Sequence, residues 1–457
     1  MNDTIAAIAT PFGSGGIGVI RISGPDAFSI AAKLFSKRKA GFECLENLES
    51  HKVYHGYIFD KKTMAVIDEV LLIPMKGPSS YTAEDVIEIQ AHSGIFVLRA
   101  VLEEVLSQGA RLSEPGEFTK RAFLNQRIDL TQAEAVADII AAKSANALKF
   151  ATSQILGNLG EKIRELRERL IHFLSLIEVN IDFPDDVASF RPSENEIQGL
   201  FDVLEKCREF IKQHNDACFL KEGIRVTICG APNVGKSSLM NRLLEKDRSI
   251  ITAIPGTTRD PIEEGLNIDG VPFVITDTAG IHQTDDLVEI IGIEKAKDHI
   301  TASDMVLYMK EPGSVFTEKE FEKIVPLGKK VIFVVNKIDV EGNFPKLSER
   351  YQHIPTVEIS ALLNKGIQEL KQKILNLSIA ELDMEKSPVI PNLRHKKALE
   401  QTVESLEAAL EGLKNGQAEE LLAIDIKHSI DSLGTITGET ASLDILDNIF
   451  SNFCIGK

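Results

Sequence analysis

The sequence predicts a multidomain α/β plus α fold, in which an N-terminal α/β domain precedes a helical bundle domain and a doubly wound α/β domain is inserted into that bundle. Three observations predict it. At 457 residues the chain is several times longer than an ordinary domain, since one domain takes roughly 150 residues. Apolar stripes at helical spacing stand on both sides of a middle region instead of in one block. That middle region alternates short apolar runs with helical patterns, as a parallel sheet covered on both faces requires.

Residues 1–118 form the first predicted domain. Val19–Ser23, Val53–Phe59, Glu69–Ile73 and Val86–Ile89 read as strands, and Ile95–Leu106 as a helix that stops at Gly109. The helical domain begins at 119–216. Leu156, Leu159, Ile163, Leu166, Leu170, Phe173 and Ile177 follow a helical rhythm up to Pro184. Ile197, Leu200, Leu204, Cys207 and Ile211 repeat it, and so do Leu399, Val403, Leu406, Leu410 and Leu413 in the second part, 383–457. These stripes are buried faces of packed helices. Between the two parts, 217–382 carries the runs Arg225–Cys229, Phe273–Thr276, Met305–Met309, Val331–Val335 and Val357–Ile359, the strands of the inserted domain.

Composition narrows the function classes. Hydrophobic residues make up 43% and charged residues 26%, as in a soluble globular chain. Acids outnumber bases by 68 to 51, a formal charge of −17, so the chain lacks the overall basic footprint of a nucleic-acid-wrapping protein. The N-terminus has Asp3 and no base before Arg21, unlike a secretory signal. No apolar run approaches the ~18 residues of a membrane span. Five cysteines without CxxC spacing fit a reducing compartment. A soluble, cytoplasmic protein with no membrane association is expected.

The inserted domain carries the chemistry. After the strand RVTIC, the segment Gly230–Ser238 reads GAPNVGKSS and leads into a helical LMNRLLE, which fits GxxxxGK[ST] between strand and helix. Glycines there let backbone amides of Asn233, Val234, Gly235 and their neighbours turn toward phosphate oxygens, at a helix N-terminus. Lys236 is placed for the β- and γ-phosphates, Ser237 for Mg²⁺, and Ser238 extends the loop. Asp277, Thr278, Ala279 and Gly280 follow a second strand, where a carboxylate can support the Mg²⁺ shell and the glycine amide can meet the γ-phosphate. Asn336, Lys337 and Asp339 leave a third strand as NKID. The Asp339 carboxylate can accept both N–H groups on guanine's pairing edge, a donor pair adenine lacks. Ser360 and Ala361 follow a fourth strand, with amides suited to the guanine oxygen. One such motif arises by chance; four in order, each after a strand, specify a Ras-like doubly wound P-loop GTPase domain.

The residue that orients the attacking water is not evident from these motifs. Ras-type enzymes place a Gln directly after the DTAG glycine, whereas this chain has Ile281, with Gln283 two positions late. His282 reads as a solvent-facing switch residue. Asp285, Asp286 and Glu289 are local candidates, each also readable as part of a solvated acidic loop. Near the N-terminus, Gly13, Gly15 and Gly18 fit G-x-G-x-x-G, but a strand-like VIRIS follows where a dinucleotide site needs a helix. They are read as a loop entering a strand.

The residues also resemble a known family, the MnmE (TrmE) tRNA-modification GTPases. The resemblance runs the whole length through DTIAAIATP, GIGVIRISG, YTAEDVIEI, PGEFTKRAFLNQRIDLTQAEAVADII, GAPNVGKSSLMN, TAIPGTTRD, DTAGI and the terminal FCIGK. A prenylation box is a poor alternative for that ending, because Lys is not a usual last residue there. The resemblance implies an N-terminal folate-binding and dimerising domain, a helical domain and an inserted GTPase domain. It implies a homodimer that acts with the flavoprotein MnmG (GidA), which carries FAD. Together they would add a carboxymethylaminomethyl or aminomethyl group to carbon 5 of the wobble uridine of certain tRNAs. The one-carbon donor would be a tetrahydrofolate derivative, 5,10-methylene- or 5-formyl-tetrahydrofolate, and the nitrogen would come from glycine or ammonium.

Carried over residue by residue, the resemblance makes Asn233 a potassium ligand. Within Thr252, Ala253, Ile254, Pro255, Gly256, Thr257 and Thr258, all assigned to the GTP site, it makes Thr252, Ile254 and Thr257 further K⁺ contributors and Thr258 the second Mg²⁺ residue. A monovalent cation beside the β–γ bridge would offset developing charge, as an arginine finger does. Glu289 becomes the water-orienting catalytic acid, and Arg21, Glu88, Arg127 and Lys457 become folate contacts. Without the family, Arg21 and Arg127 read as surface bases and Glu88 as an outward strand residue. The family often has CHGG where this chain has QAHSG at 90–94. Cys454 is open to two readings, a part in the uridine chemistry or packing at a domain junction. The competing function class is a GTP-switched ribosome-assembly or scaffold protein.

Overall fold

The computed structural model describes residues 3–11, 13, 15–39, 42, 48–142, 144–182, 192–247, 263–269, 271–277, 300–322, 328–379 and 391–457. The chain divides into two compact units, one made of 1–137, 154–204 and 401–457, the other of 138–153 and 205–400.

The first unit opens with β1 (Ile5–Ile8), β2 (Ile17–Ser23), α1 (Ala27–Leu34), β3 (Phe35–Ser36), β4 (Tyr54–Phe59), β5 (Val66–Met75), β6 (Val86–His92), α2 (Ile95–Ser107) and β7 (Arg111–Leu112). The strands make one sheet in the order β3-β4-β5-β6-β2-β1-β7, antiparallel except for the parallel β1–β7 pair. Alternation within the strands turns Ile20, Ile22, Val70, Leu72, Ile87 and Ile89 to one face, where they share a core with Ile30 and Leu34 of α1 and Leu98 and Val101 of α2. Gly109 stands just past the end of α2 with φ 113°, the left-handed region in which a helix-stopping glycine carries no side-chain strain. Gly18 lies within β2, where a Cβ would meet Leu98 of α2. The glycine pattern therefore enters a strand, with helix α2 packed close against it.

The opposite face takes Phe118 of α3 (Glu117–Leu124) against Ile5 and Ala7. Next to it, Arg121 is 1% exposed and donates to Asp3, Glu84 and Glu117. Arg111 donates to Asp3 and Glu117 as well. This group joins the chain's start, the Tyr81–Glu84 turn and α3 by charge-assisted bonds.

The helices of this unit follow from their stripes. After α4 (Leu130–Ala141) and α5 (Ala145–Ile155), whose stretch 138–153 belongs to the second unit, helix α6 (Asn158–Asp182) buries Leu159, Ile163, Leu166, Leu170, Phe173 and Ile177. Leu156, expected in that stripe, is instead 68% exposed. It lies in the turn between α5 and α6, where Gly157 at φ 87° breaks the helical path.

The second unit takes α7 (Glu194–Glu222) from residue 205 on, and the chain then runs through β8 (Ile224–Gly230), α8 (Lys236–Asp247), β9 (Glu263–Ile268), β10 (Val271–Asp277), β11 (Met305–Lys310), α9 (Glu318–Glu322), β12 (Lys330–Val335), β13 (Thr356–Glu358) and α10 (Ile367–Ile379). The sheet order is β13-β12-β11-β8-β10-β9, parallel throughout apart from the antiparallel edge strand β9. The near-continuous apolar strands MVLYMK and KVIFVV bury almost every residue, as helices on both faces demand. Phe150 of α5 joins this sheet's core, so the compact unit is wider than 217–382. The chain closes with α11 (Leu393–Lys414), α12 (Glu419–Thr437) and α13 (Leu443–Ser451). Among the described residues no helix is long and apolar enough to cross a membrane.

Candidate functional site: a phosphate loop tied to two base loops

The nucleotide motifs converge on the carboxyl edge of the parallel sheet, where doubly wound folds bind ligands. Gly230 ends β8, Asp277 ends β10, Asn336 follows β12 and Ser360 comes two residues after β13. In the parallel β8–β10 pair Asp277 stands opposite Ile228, which puts its backbone beside the start of the phosphate loop.

That loop has the backbone its sequence requires. Gly230 has φ 153°, Asn233 φ 64° and Gly235 φ 96°. Asparagine is among the few residues with a side chain that adopt the left-handed region readily. A Cβ at Gly230 would strike the Met309 carbonyl, and one at Gly235 the Asn336 amide. Both glycines are thus needed for conformation and for close approach. Lys236 begins α8, is 8% exposed, and donates from Nζ to the carbonyl oxygens of Gly230 at 3.0 Å and Ala231 at 2.9 Å. Its ammonium is held over the loop by those carbonyls, the place where a phosphate charge needs a fixed cation. Ser237 and Ser238 follow in the first turn of α8.

Asn336 links the loops. Its Nδ2 donates to the Val234 carbonyl at 2.8 Å and its Oδ1 accepts from the Ala361 amide at 3.0 Å. At 2% exposure the carboxamide bridges the phosphate loop and the segment after β13. Lys337 has φ 68° and its Nζ pairs with Glu311, just after β11. Asp339 is exposed in the following turn, open to a base. Ser360 N–H donates to the Lys365 carbonyl at 3.0 Å, and Ala361 N–H is held by Asn336. Sequence reasoning also missed Arg242 of α8, which donates to the carbonyls of Ala361 and Leu362. An arginine on a helix surface offers no local signal that it reaches a loop so distant in sequence.

Thr252, Ala253, Ile254, Pro255, Gly256, Thr257, Thr258, Thr278, Ala279, Gly280 and Glu289 lie outside the described residues, as do Ile281, His282, Gln283, Asp285 and Asp286.

The second constellation gathers Arg21, Glu88, Arg127 and Lys457. Arg21 and Glu88 are cross-strand partners in β2 and β6, and Arg21 Nη2 lies 2.8 Å from Glu88 Oε1. The guanidinium of Arg21 sits 5.1 Å from the Tyr81 ring and 5.7 Å from the Phe118 ring, within cation–π range. Arg127 lies 5.2 Å from the same Tyr81 ring and donates to the Tyr81 carbonyl at 2.9 Å. The Lys457 carbonyl accepts from the Phe118 amide. Gly456, at φ 92°, brings the chain's end so close to β1 that a Cβ would meet the Ile8 carbonyl. Arg21 and Arg127 thus share the Tyr81 ring, Glu88 joins them through Arg21, and the Lys457 backbone is tied to Phe118. Cys454 is exposed. In the QAHSG segment Ala91 is buried in the sheet core, His92 bonds to Asp68 at 2.8 Å, and Ser93 donates to the Gly15 carbonyl.

Comparison with known proteins bears on the whole chain. The sequence profile MnmE helical domain matches residues 130–454, and the profile GTP-binding protein TrmE N-terminus matches 4–127. The chain belongs to the MnmE family of tRNA modification GTPases. Relatives called tRNA modification GTPase MnmE agree in length as well as in residues. That of Thermoanaerobacter pseudethanolicus is 41% identical over 459 residues, covering 100% of this chain and 99% of the relative. The MnmE proteins of Carboxydothermus hydrogenoformans and Clostridioides difficile are each 43% identical, over 463 and 465 residues, with both chains covered completely. The MnmE-family match spans both constellations: the nucleotide loops fall within 130–454, and Arg21, Glu88 and Arg127 within 4–127.

Proposed function

We propose that this chain is a potassium-dependent GTP hydrolase that works with the flavoprotein MnmG (GidA) to add a carboxymethylaminomethyl or aminomethyl group to carbon 5 of the wobble uridine of certain tRNAs. The observation that carries the reading is the Asn336 bridge between phosphate loop and base segment, in a chain that aligns end to end with MnmE relatives. The loop fits a nucleoside triphosphate, since Lys236 is fixed over it and two glycines keep it open to phosphate oxygens. Ser237 and Thr258 would hold Mg²⁺, and Asn233, Thr252, Ile254 and Thr257 would hold K⁺. The charge of these ions would offset charge developing at the phosphates. Glu289 is assigned to orient the attacking water. The Arg21–Glu88 pair, Arg127 and Lys457 are assigned to a tetrahydrofolate derivative, and the rings of Tyr81 and Phe118 beside them suit a flat heterocycle. The chain is taken to act as a cytoplasmic homodimer. Its −17 charge supports a reading in which most of the grip on tRNA belongs to the FAD-bearing partner.

The test is mass spectrometry of tRNA nucleosides from cells lacking the chain. Loss of the modified wobble uridine is expected. Unchanged levels, together with GTP-dependent co-sedimentation with ribosomal subunits, would replace the proposal with an assembly role.

A further inference from the structure

The outer edge of the first sheet, where β3 stands beside β4, is basic in a chain whose formal charge is −17. Lys33 lies in the last turn of α1, Lys37 and Lys39 follow β3, and Lys61 and Lys62 follow β4. The two strands are antiparallel, with Phe35 opposite Ile58 and Ser36 opposite Tyr57. Lys33 therefore falls toward the end of β4 that Lys61 and Lys62 occupy, while Lys37 and Lys39 run toward its start. The Lys37 ammonium agrees with this register, standing 5.0 Å from the Tyr54 ring. At about 3.3 Å per residue, β4 sets the two groups of lysines roughly 20 Å apart. Rings hold two of these ammoniums: beside Lys37 on Tyr54, Lys61 Nζ lies 3.7 Å from the Phe42 ring, itself edge-on to Phe59. A ring steadies an ammonium without cancelling its charge. The neighbouring carboxylates are engaged elsewhere. Asp60 Oδ1 accepts from the Lys62 and Thr63 amides at 2.8 Å, and Glu104 Oε2 from the Lys61 amide at 3.3 Å. Glu49 pairs with Lys52 and Glu69 with His55. Among the described residues none of the five lysines has a carboxylate partner, and Lys33, Lys37, Lys39 and Lys62 are exposed.

We propose that this lysine edge is a contact surface for the phosphodiester backbone of RNA, and that it supplies this chain's own share of the hold on tRNA. The proposal rests on the tRNA-modification reading above and deepens it by naming where on this chain the RNA lies. Phosphate contact is driven by the release of counterions and reads no base, so the edge positions RNA without selecting a sequence. The acidic remainder of the chain repels a polyanion and leaves this edge as its favoured approach. A second copy is a poor occupant, because a symmetric contact would bring the same lysines against themselves. Lysines also guard sheet edges against strand pairing between chains. Guarding requires only that charge be present, whereas RNA binding requires that affinity fall with each charge removed.

The experiment uses the full chain and measures its dissociation constant for unmodified tRNA transcripts by fluorescence anisotropy across a salt series. One variant combines Lys37→Gln and Lys39→Gln, and a second adds Lys33→Gln and Lys62→Gln. A control combines Lys414→Gln and Lys427→Gln, exposed lysines of α11 and α12. Each phosphate contact contributes about 0.7–0.9 to the slope of log affinity against log salt. The double variant should therefore lower the slope by about 1.5 and the fourfold variant by about 3, with at least a tenfold loss of affinity at low salt. The loss should be equal for tRNAs of different sequence, while GTP hydrolysis and the control variant's slope stay as in wild type. A slope that the edge variants leave unchanged would overturn the proposal, as would a wild-type chain that binds no tRNA at low salt. Self-association of the variants with unaltered RNA affinity would reduce the lysines to edge guards. Variants that bind tRNA normally but fail to restore the modified nucleoside in cells lacking the chain would assign the edge to an acidic protein partner, and so overturn it too. The tRNA-modification reading fails on a different result, unchanged modified uridine in cells lacking the chain altogether.

Discussion

Replacing Asn336 with alanine isolates the contact on which the nucleotide site depends. The carboxamide is 2% exposed and bonds at 2.8 Å to the Val234 carbonyl and at 3.0 Å from the Ala361 amide. Truncation leaves a carbonyl and an amide without partners in a dry setting, at about 1–3 kcal/mol for each. The second unit should lose roughly 2–6 kcal/mol. For a folding unit of about 200 residues that corresponds to a fall in Tm on the order of 5–15 °C. Calorimetry of the full chain is the assay, and the relevant transition is the one that added GDP shifts upward. Asn336→Asp refines the reasoning. Its carboxylate still accepts from Ala361 but faces the Val234 carbonyl with no proton to donate. Burial raises the folded-state pKa of the introduced acid, so its stabilising form exists below the unfolded value of about 4 and is lost as pH rises through the folded value. The aspartate variant should therefore lie closest to wild type in acid and fall away toward neutral pH. An alanine variant that melts within about 1 °C of wild type would refute the bridge as an organising contact, since even one lost buried bond predicts more.

Three further outcomes are expected. Arg111 holds the Asp3 carboxyl below its usual range, and at Glu117 burial pushes the pKa up while bonds from Arg111, the Glu114 amide and Arg121 bring it lower overall. Because these folded values are depressed, the stability they confer is present above about pH 4–5 and fades as pH falls through the folded values. Arg111→Gln should therefore cost most near neutrality and progressively less in acid denaturation below that window; a pH-independent difference would contradict this. Arg21→Met and Arg127→Met should each weaken binding of a tetrahydrofolate derivative at least about tenfold by calorimetric titration, with GTP hydrolysis unchanged; retained folate affinity would remove the pair from that site. Exchanging sodium for potassium should raise the hydrolysis rate, and Glu289→Ala should slow it with GTP affinity nearly intact; equal rates in both salts would remove Asn233 from a cation site.

How legible the molecule was in its sequence depends on how local each signal is. The strands β11 and β12 are continuous apolar runs, and the α6 stripe repeats at helical spacing, so both announce themselves within ten or twenty residues. Strand β9 does not, because EEGLNI offers only two large apolar side chains, Leu266 and Ile268, among charged and polar residues. The two-residue strands β3 and β7 exist only through their partners. The phosphate loop was readable because its glycines, lysine and serine are contiguous. Arg242 reaching Ala361, Arg121 reaching Asp3 and Glu84, and Tyr81 joining Arg21 to Arg127 were not. Those contacts are made by tertiary folding, and nothing near any of these residues in the sequence marks its partner. The resemblance supplied the Arg21, Glu88, Arg127 and Lys457 set without a geometric reason; that Arg21 and Arg127 share the Tyr81 ring emerges only in the fold.

The central claim is that this chain's phosphate loop powers tRNA modification. Its most direct measurement compares wild type and Lys236→Ala, each produced at equal level in cells lacking the chain, by the amount of modified wobble uridine in their tRNA. The account predicts that wild type restores the modified nucleoside and that Lys236→Ala does not, although the variant protein accumulates. Full restoration by Lys236→Ala would contradict it.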